Sequence, residues 1–345
     1  MPHLLHGASS ATSQGLTPTA PVFWDGDSVG YIDQRALPRD LTVCRAKSVD
    51  DVVDAIATLA VRGAPAIGVF GAYGCALAAA LHSGTELERA FLRIREARPT
   101  AVNLGWAVDR VRARADGNYL AEARAIHHEQ VAIDRLIGEA GIELFPRSGA
   151  VMTHCNTGPL ATAGGGTALG AIVAAHRAGK SIEVFATETR PLLQGARLTM
   201  YELQEAGVPA TLLVDGAAAM TMKEKNIRLV IVGADRIARN GDVANKIGTY
   251  SHAIAAAYHG IPFYVAAPRS TFDFSLATGE AIPIEQRKPD EVRIAEGDRV
   301  YNPAFDVTPG RLVTAFLTEY GIIRPPYAET IPDLQYRPSF IGNEI

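Results

Sequence analysis

The stretch AVMTHCNTGPLATAGGGTALGAIVAAHRAGKSIEVFATE, Ala150–Glu188, decides the fold. It opens on a short apolar run, passes through a Gly/Thr loop, continues as a helix from about Ala168 to Ala178, and closes on a second apolar run. Strand, helix and strand at this spacing predict a parallel pair joined by a crossover. The rhythm persists downstream: a helix from about Gln194 to Ala206, then ATLLV, a helix over GAAAMTMKEK, RLVIVG, a helix over about Lys246 to His259, and PFYVAA. Runs that are apolar throughout predict a parallel sheet covered on both faces by helices. In such sheets ligands sit beyond the carboxyl ends of the strands. The polar residues that follow each strand are therefore the ones to weigh.

Upstream the pattern differs. VFWD and VGYID flank Gly26-Asp27-Ser28, a natural tight turn, and LTVCRA follows, so Val22 to Arg45 reads as short strands. Ser48 can cap a helix through DVVDAIATLAV. AIGVFGAYGCALAAALH reads as a helix buried on most sides, and Glu86–Ala97, Ala101–Ala115 and about Tyr119–Ala140 continue the helical period. The expected class is α/β: residues 1–20 a flexible Ser/Thr/Pro/Gly-rich tail, 21–142 a small, mainly helical domain with a short β-hairpin, and 143–345 a parallel-sheet domain.

Composition narrows the function. The 345 residues are 48% hydrophobic and 20% charged, with 33 Lys and Arg against 37 Asp and Glu, a net charge of −4. Wholesale disorder is excluded, and no dense basic block offers a footprint for nucleic acid or anionic membrane. Every apolar stretch reads as broken by Gly, Pro or charge short of a membrane span. Cys44, Cys75 and Cys155 lack C-x-x-C spacing, which argues against a disulfide framework or a thiolate zinc site. Without a basic start followed by an apolar run, the expected location is the cytoplasm.

Four strand exits carry chemistry. AVMTH runs into Cys155, IEVFATE into Thr189-Arg190-Pro191-Leu192-Leu193-Gln194, LVIVG into Asp235-Arg236, and PFYVAA into Pro268-Arg269. A free cysteine is most often a small core hydrophobe. Cys155, however, is followed by Asn-Thr-Gly and a loop ending at a helix N-terminus, a setting that favours thiolate or a bound anion. Asp235 is either a turn residue or, after VIVGA, a carboxyl whose pKa an apolar setting raises, with Arg236 opposing that shift if it shares the cavity. His154 earns no role by itself. Glu188, Arg190 and Arg197 read equally well as solvated or internally paired.

Gly164, Gly166 and Gly170 mimic a nicotinamide-binding turn, but the first glycine comes too far from its strand and the third is one position late. Basic helix starts are better anion sites. Arg62-Gly63-Ala64-Pro65-Ala66 is one, Arg98-Pro99-Thr100 a second, and Asn245-Lys246 a third. Together they suggest a phosphate clamp between the domains.

RGAPAIG, RPTAVNL, HCNTGPLATAGGGTALG, ETRPLLQGARLT and GADRIARNGDVANKIGTY together resemble the methylthioribose-1-phosphate isomerase family, within the superfamily of the regulatory subunits of translation initiation factor 2B. The resemblance runs from about Val22 to Arg324. It implies a helical N-terminal domain, a Rossmann-like C-terminal domain, a homodimer, a small sugar-phosphate substrate, and no metal or cofactor. It also implies Asp235 as proton donor and Cys155 as base or transition-state stabiliser, with Arg62, Gly63, Ala64, Arg98, Gln194, Asn245 and Lys246 holding substrate. Two alternatives stay open: a related isomerase of 5-deoxyribose 1-phosphate or ribose 1,5-bisphosphate, and a non-catalytic regulatory subunit.

Overall fold

A computed structural model describes residues 20–98 and 101–337. The tail expected over residues 1–20 lies outside the described residues except for Ala20, as do Pro99 and Thr100 of the second basic helix start.

The chain opens with an antiparallel sheet of β1 (Val22–Asp25), β2 (Ser28–Ile32) and β3 (Val43–Ala46), with Val22 opposite Tyr31 and Val29 opposite Ala46. Helix α1 (Val49–Ala57) starts with a capping box: Asp51 N–H donates to Ser48 Oγ, and Ser48 N–H donates to Asp51 Oδ2. Helices α2 (Ala64–Leu81), α3 (Gly84–Glu96), α4 (Val102–Arg112) and α5 (Tyr119–Gly141) complete this part. α2 corrects one expectation. Its glycines do not interrupt it, and it is long and apolar enough to cross a membrane. Instead Ala66 through Ala78 are all buried, because the other helices and the small sheet surround it. A helix that is apolar all round is a core helix when neighbours cover it.

The second part contains β4 (Ser148–Thr153), α6 (Pro159–Thr162), α7 (Ala168–Arg177) and β5 (Ser181–Thr187). A π-turn over Gly195–Thr199 then leads into α8 (Met200–Glu205), followed by β6 (Ala210–Leu213), α9 (Ala218–Glu224) and β7 (Val230–Val232). After these come β8 (Arg236–Ala238), β9 (Val243–Lys246), α10 (Thr249–Tyr258), β10 (Phe263–Ala266) and β11 (Phe272–Asp273). β12 (Phe305–Thr308), β13 (Ala315–Thr318), β14 (Gly321–Ile323) and α11 (Tyr327–Thr330) end it. Seven strands form one sheet in the order β14-β13-β10-β7-β4-β5-β6, parallel except for β14. From β6 to β13 this is the doubly wound Rossmann order, and it reverses between β4 and β7.

Both faces of that sheet are dry. Met152, Phe185 and Val230 join one core, while Val151, Val184 and Ile231 join the other. Neighbouring residues pointing to opposite cores explain why these strands are apolar without alternation. α5 ties the two parts together, lending Ala123 and Ile126 to the helical core and Ile137 to a sheet core.

The third basic helix start is corrected. Asn245 and Lys246 end strand β9 rather than opening a helix, and α10 begins at Thr249 behind Gly248, whose φ is 102°. Strands β8 and β9 form a hairpin around Asn240-Gly241, and with β11 and β12 they make a separate four-stranded sheet. The Asn-Gly pair is the turn signal for this hairpin.

Candidate active site

Cys155 and Asp235 follow β4 and β7, the neighbouring strands between which the sheet order reverses. A doubly wound sheet opens its crevice at that point, because the flanking crossovers leave in opposite directions. One cleft there encloses about 780 Å³, part of it open to solvent. Arg62, Gly63, Ala64 and Arg98 reach it from the helical part. Cys155, Gln194, Asp235, Asn245 and Lys246 reach it from the strand exits. The structure thus brings all nine sequence candidates to a single cavity.

Cys155 is held by its backbone. Its φ is 63°, in the left-handed region that a side chain enters only at a cost of order 1 kcal/mol. Two hydroxyls offset that strain: Cys155 N–H donates to Thr189 Oγ1 at 2.9 Å, and Thr199 Oγ1 donates to the Cys155 carbonyl. Burial pushes the thiol above its ordinary pKa, against the pull of Arg62 and Lys246. Desolvation thus works against the thiolate that the helix-start setting favours.

Asp235 is fixed by its N–H, which donates to the Ala244 carbonyl at 2.9 Å in the β8–β9 hairpin. Burial raises its carboxyl pKa, opposed by Lys246, Arg98 and Arg62. Arg236 is not among the main causes of that shift; its guanidinium lies 3.7 Å from Asp273.

The cations of the cleft differ in how far they are compensated. Arg98 pairs with Glu285 at 3.2 Å. Arg62 is buried, yet Nε donates to Gln34 Oε1 at 3.0 Å and the terminal nitrogens donate to the carbonyl and Oδ1 of Asn156. Lys246 Nζ donates to the Ala304 carbonyl at 2.9 Å and lies over the Phe305 ring. Among the described residues, neither Arg62 nor Lys246 has a carboxylate within salt-bridge distance. Burial accordingly lowers the pKa of both. Gln194 presents a buried Oε1 with no partner among the described residues. Buried cations and amides left this way fit an anionic, hydroxylated ligand that completes them. Gly63, with φ 92°, opens α2, whose first turn turns free N–H groups toward the cleft.

The glycine loop is not an open phosphate cradle. Gly165 and Gly166 N–H donate to Asp134 Oδ2 at 2.8 and 3.0 Å, so the chain fills that nest with its own carboxylate. His154, Asp215 and His252 bring potential metal-ligand atoms within 4.8 Å of one another. These atoms already have protein partners: Asp215 accepts from the Thr189 and Arg190 N–H groups, His154 meets Thr187 Oγ1 and donates to the Ile247 carbonyl, and His252 Nε2 lies 3.2 Å from His154 Nδ1. Arg197 is internally paired, donating to the Leu192 and Gln34 carbonyls and so joining the two parts of the chain.

Sequence reasoning missed several supports. Glu202 lies under the site, accepting from Leu160 N–H at 2.7 Å and from the Asn156 amide. In sequence it is one acid in a helical run, indistinguishable from a solvated one. Arg287 and Phe305 line the cleft from the segment after Arg269, where no regular period announces structure.

The profile of the initiation factor 2 subunit family matches residues 60–325. The chain is 52% identical to methylthioribose-1-phosphate isomerase of Heliobacterium modesticaldum, over 89% of this chain and 96% of that protein. It is 51% identical to 5-deoxyribose 1-phosphate isomerase of Moorella thermoacetica, over 91% and 97%. The crystal structure of 5-methylthioribose 1-phosphate isomerase from Pyrococcus horikoshii OT3 superposes with a TM-score of 0.86 at 40% identity, covering 92% of this chain and 96% of that one.

Proposed function

The chain belongs to the initiation factor 2 subunit family, and from that we propose that its cleft isomerises 5-methylthioribose 1-phosphate to 5-methylthioribulose 1-phosphate, the aldose–ketose step of methionine salvage. The observation that carries this reading is the convergence of Cys155, Asp235 and the buried cations Arg62 and Lys246 on one cavity.

An aldose 1-phosphate has no free aldehyde, because its anomeric oxygen is esterified. Asp235, protonated in its desolvated setting, gives its proton to the ring oxygen as the bond from that oxygen to C1 breaks. Two routes then lead to the ketose. In one, Cys155 first loses its proton to solvent as substrate binds; the thiolate then takes the C2 proton and returns it to C1 of the enol phosphate, while the 2-hydroxyl proton goes back to the Asp235 carboxylate. In the other, hydride moves from C2 to C1 while the 2-hydroxyl proton leaves, and Cys155 receives or stabilises it. Either way the sugar is oxidised at C2 and reduced at C1, so the reaction is redox-neutral. Arg62, the N–H groups at Gly63 and Ala64, Gln194, Asn245 and Lys246 hold the phosphate, and Arg98 closes the site from the helical side.

The Moorella relative favours a second substrate for the same chemistry, 5-deoxyribose 1-phosphate. Edge strand β6 with Val214 just after it, and helices α9 and α10, expose Leu212, Val214, Met220, Ile254 and Tyr258, which supports a homodimer as part of the proposal. Three unpaired cysteines support a reducing, cytoplasmic location. The test is ketose formation from a panel of sugar 1-phosphates. Turnover of none of them, with correctly folded protein, overturns the reading.

A further inference from the structure

The irregular segment between β11 and β12 brings an acid to the mouth of the cleft. A short antiparallel bridge between Gln286 and Pro303 fixes its course, with Ala304 N–H donating to the Glu285 carbonyl and Arg287 N–H to the Asn302 carbonyl, each at 2.8 Å. Glu285 thereby arrives between two arginines that line the cleft. Its Oε2 accepts from Arg98 Nη2 at 3.2 Å, and its Oε1 from Arg287 Nη1 at 2.8 Å. Arg287 has a second carboxylate, Glu291, at 2.5 Å, whereas the ion pair of Arg98 is with Glu285. All three side chains are 18% exposed, so solvent screens these pairs only in part. Burial works against the Glu285 charge, but Arg98 and Arg287 hold its carboxyl below the ordinary range.

Arg98 and Asp235 share one stretch of wall, where the cleft runs on into an adjoining lobe. Burial raises the Asp235 pKa, Lys246, Arg98 and Arg62 lower it, and Glu285 raises it again. The Cys155 thiol is a further ionisable neighbour. A general acid has to keep its proton until the leaving oxygen takes it, and cations gathered around a carboxyl work against that. Glu285 stands behind Arg98 and does not itself line the cleft. We propose that Glu285 is a positioning residue of the reaction: it holds Arg98 at the rim and balances that charge, so that Asp235 retains the proton it delivers. The inference rests on the isomerase reading and adds to it the group that lets a cation-rich cleft contain an acid.

The test is the titration of Asp235 itself, by NMR of protein carrying carbon-13 at its aspartate carboxyls. The Asp235 signal is the one missing from Asp235→Asn. Glu285→Gln should move its midpoint down by about one pH unit, and kcat at pH 8 should fall roughly three- to tenfold as less of the acid is protonated. Glu285→Asp keeps the charge, and should leave the midpoint near the wild-type value while its shorter reach to Arg98 raises KM. In Arg98→Gln protein the midpoint starts higher, and adding Glu285→Gln should bring it down again, so the comparison stands even should the single variant not fold. A midpoint that Glu285→Gln leaves in place, with only KM raised, makes Glu285 a structural contact and overturns the proposal. A shifted midpoint with no ketose formed from any sugar 1-phosphate overturns the isomerase reading and leaves the charge balance standing.

Discussion

Arg62 and Glu202 face each other across the side chain of Asn156, whose Oδ1 accepts from the guanidinium and whose amide nitrogen donates to the carboxylate. Glu202 therefore acts on this buried arginine through an intervening amide. The arrangement orients the guanidinium while leaving its charge for a ligand. Burial pushes Glu202 up to about 7, against the Leu160 N–H, the Asn156 amide and Arg62.

Glu202 sets a pH term in stability. Its folded pKa lies above the unfolded value, so its stabilising contribution is fully present below pH 4.5 and is lost as pH rises to about 7. The Glu202→Gln variant cannot titrate there. Relative to wild type it should gain on the order of 3 kcal/mol between pH 4.5 and pH 8. Urea unfolding at the two pH values measures the difference, and a pH-independent offset contradicts the assignment.

Cys155→Ala and Asp235→Asn should each lower kcat by roughly 10²- to 10⁴-fold with KM changed only a few-fold. The double variant should lose less than the product of the two, because the groups act on one transition state. Ketose formation under saturating substrate checks this. Near-wild-type turnover in both folded single variants removes them from the mechanism.

Gly63→Ala tests the helix start. Gly63 has φ 92°, and a Cβ there would lie 2.2 Å from the Ala161 carbonyl oxygen, which belongs to the backbone and has no rotamer to escape into. The substitution should cost about 2–4 kcal/mol and raise KM at least tenfold, since the first turn of α2, which lines the cleft, must shift away from Ala161. Denaturant titration and steady-state kinetics measure the two effects.

Asp134 is the occupant of the glycine loop. Asp134→Ala leaves the Gly165 and Gly166 N–H groups without their carboxylate, which should cost about 2–5 kcal/mol by chemical denaturation. Thermal shift with NAD should stay flat in the wild type, because the nest is already filled. A clear NAD stabilisation would reinstate the dinucleotide alternative.

Much of this was legible in the residues. Apolar runs without alternation gave the doubly buried strands, and Ser48 marked a cap that the structure fills. Cys155 and Asp235 stood out as reactive side chains at strand exits. Asn245-Lys246 reads in sequence as a helix start, whereas the hairpin closed at Asn240-Gly241 carries both residues into the cleft on a strand. The glycines of α2 read as breaks in sequence, yet the helix runs through them because its neighbours surround it closely.

Local pattern by itself determined the element types and the class, because side-chain period and turn chemistry act over a few residues. It also nominated the polar groups at the strand ends. Only the tertiary structure decided which of them meet, what each charge faces and which way each pKa moves. Arg236 comes within 3.7 Å of Asp273, Asp134 fills the glycine nest, and desolvation pushes the Cys155 thiol up. Those outcomes depend on burial and on partners more than thirty residues away along the chain. Neither is encoded in any local stretch.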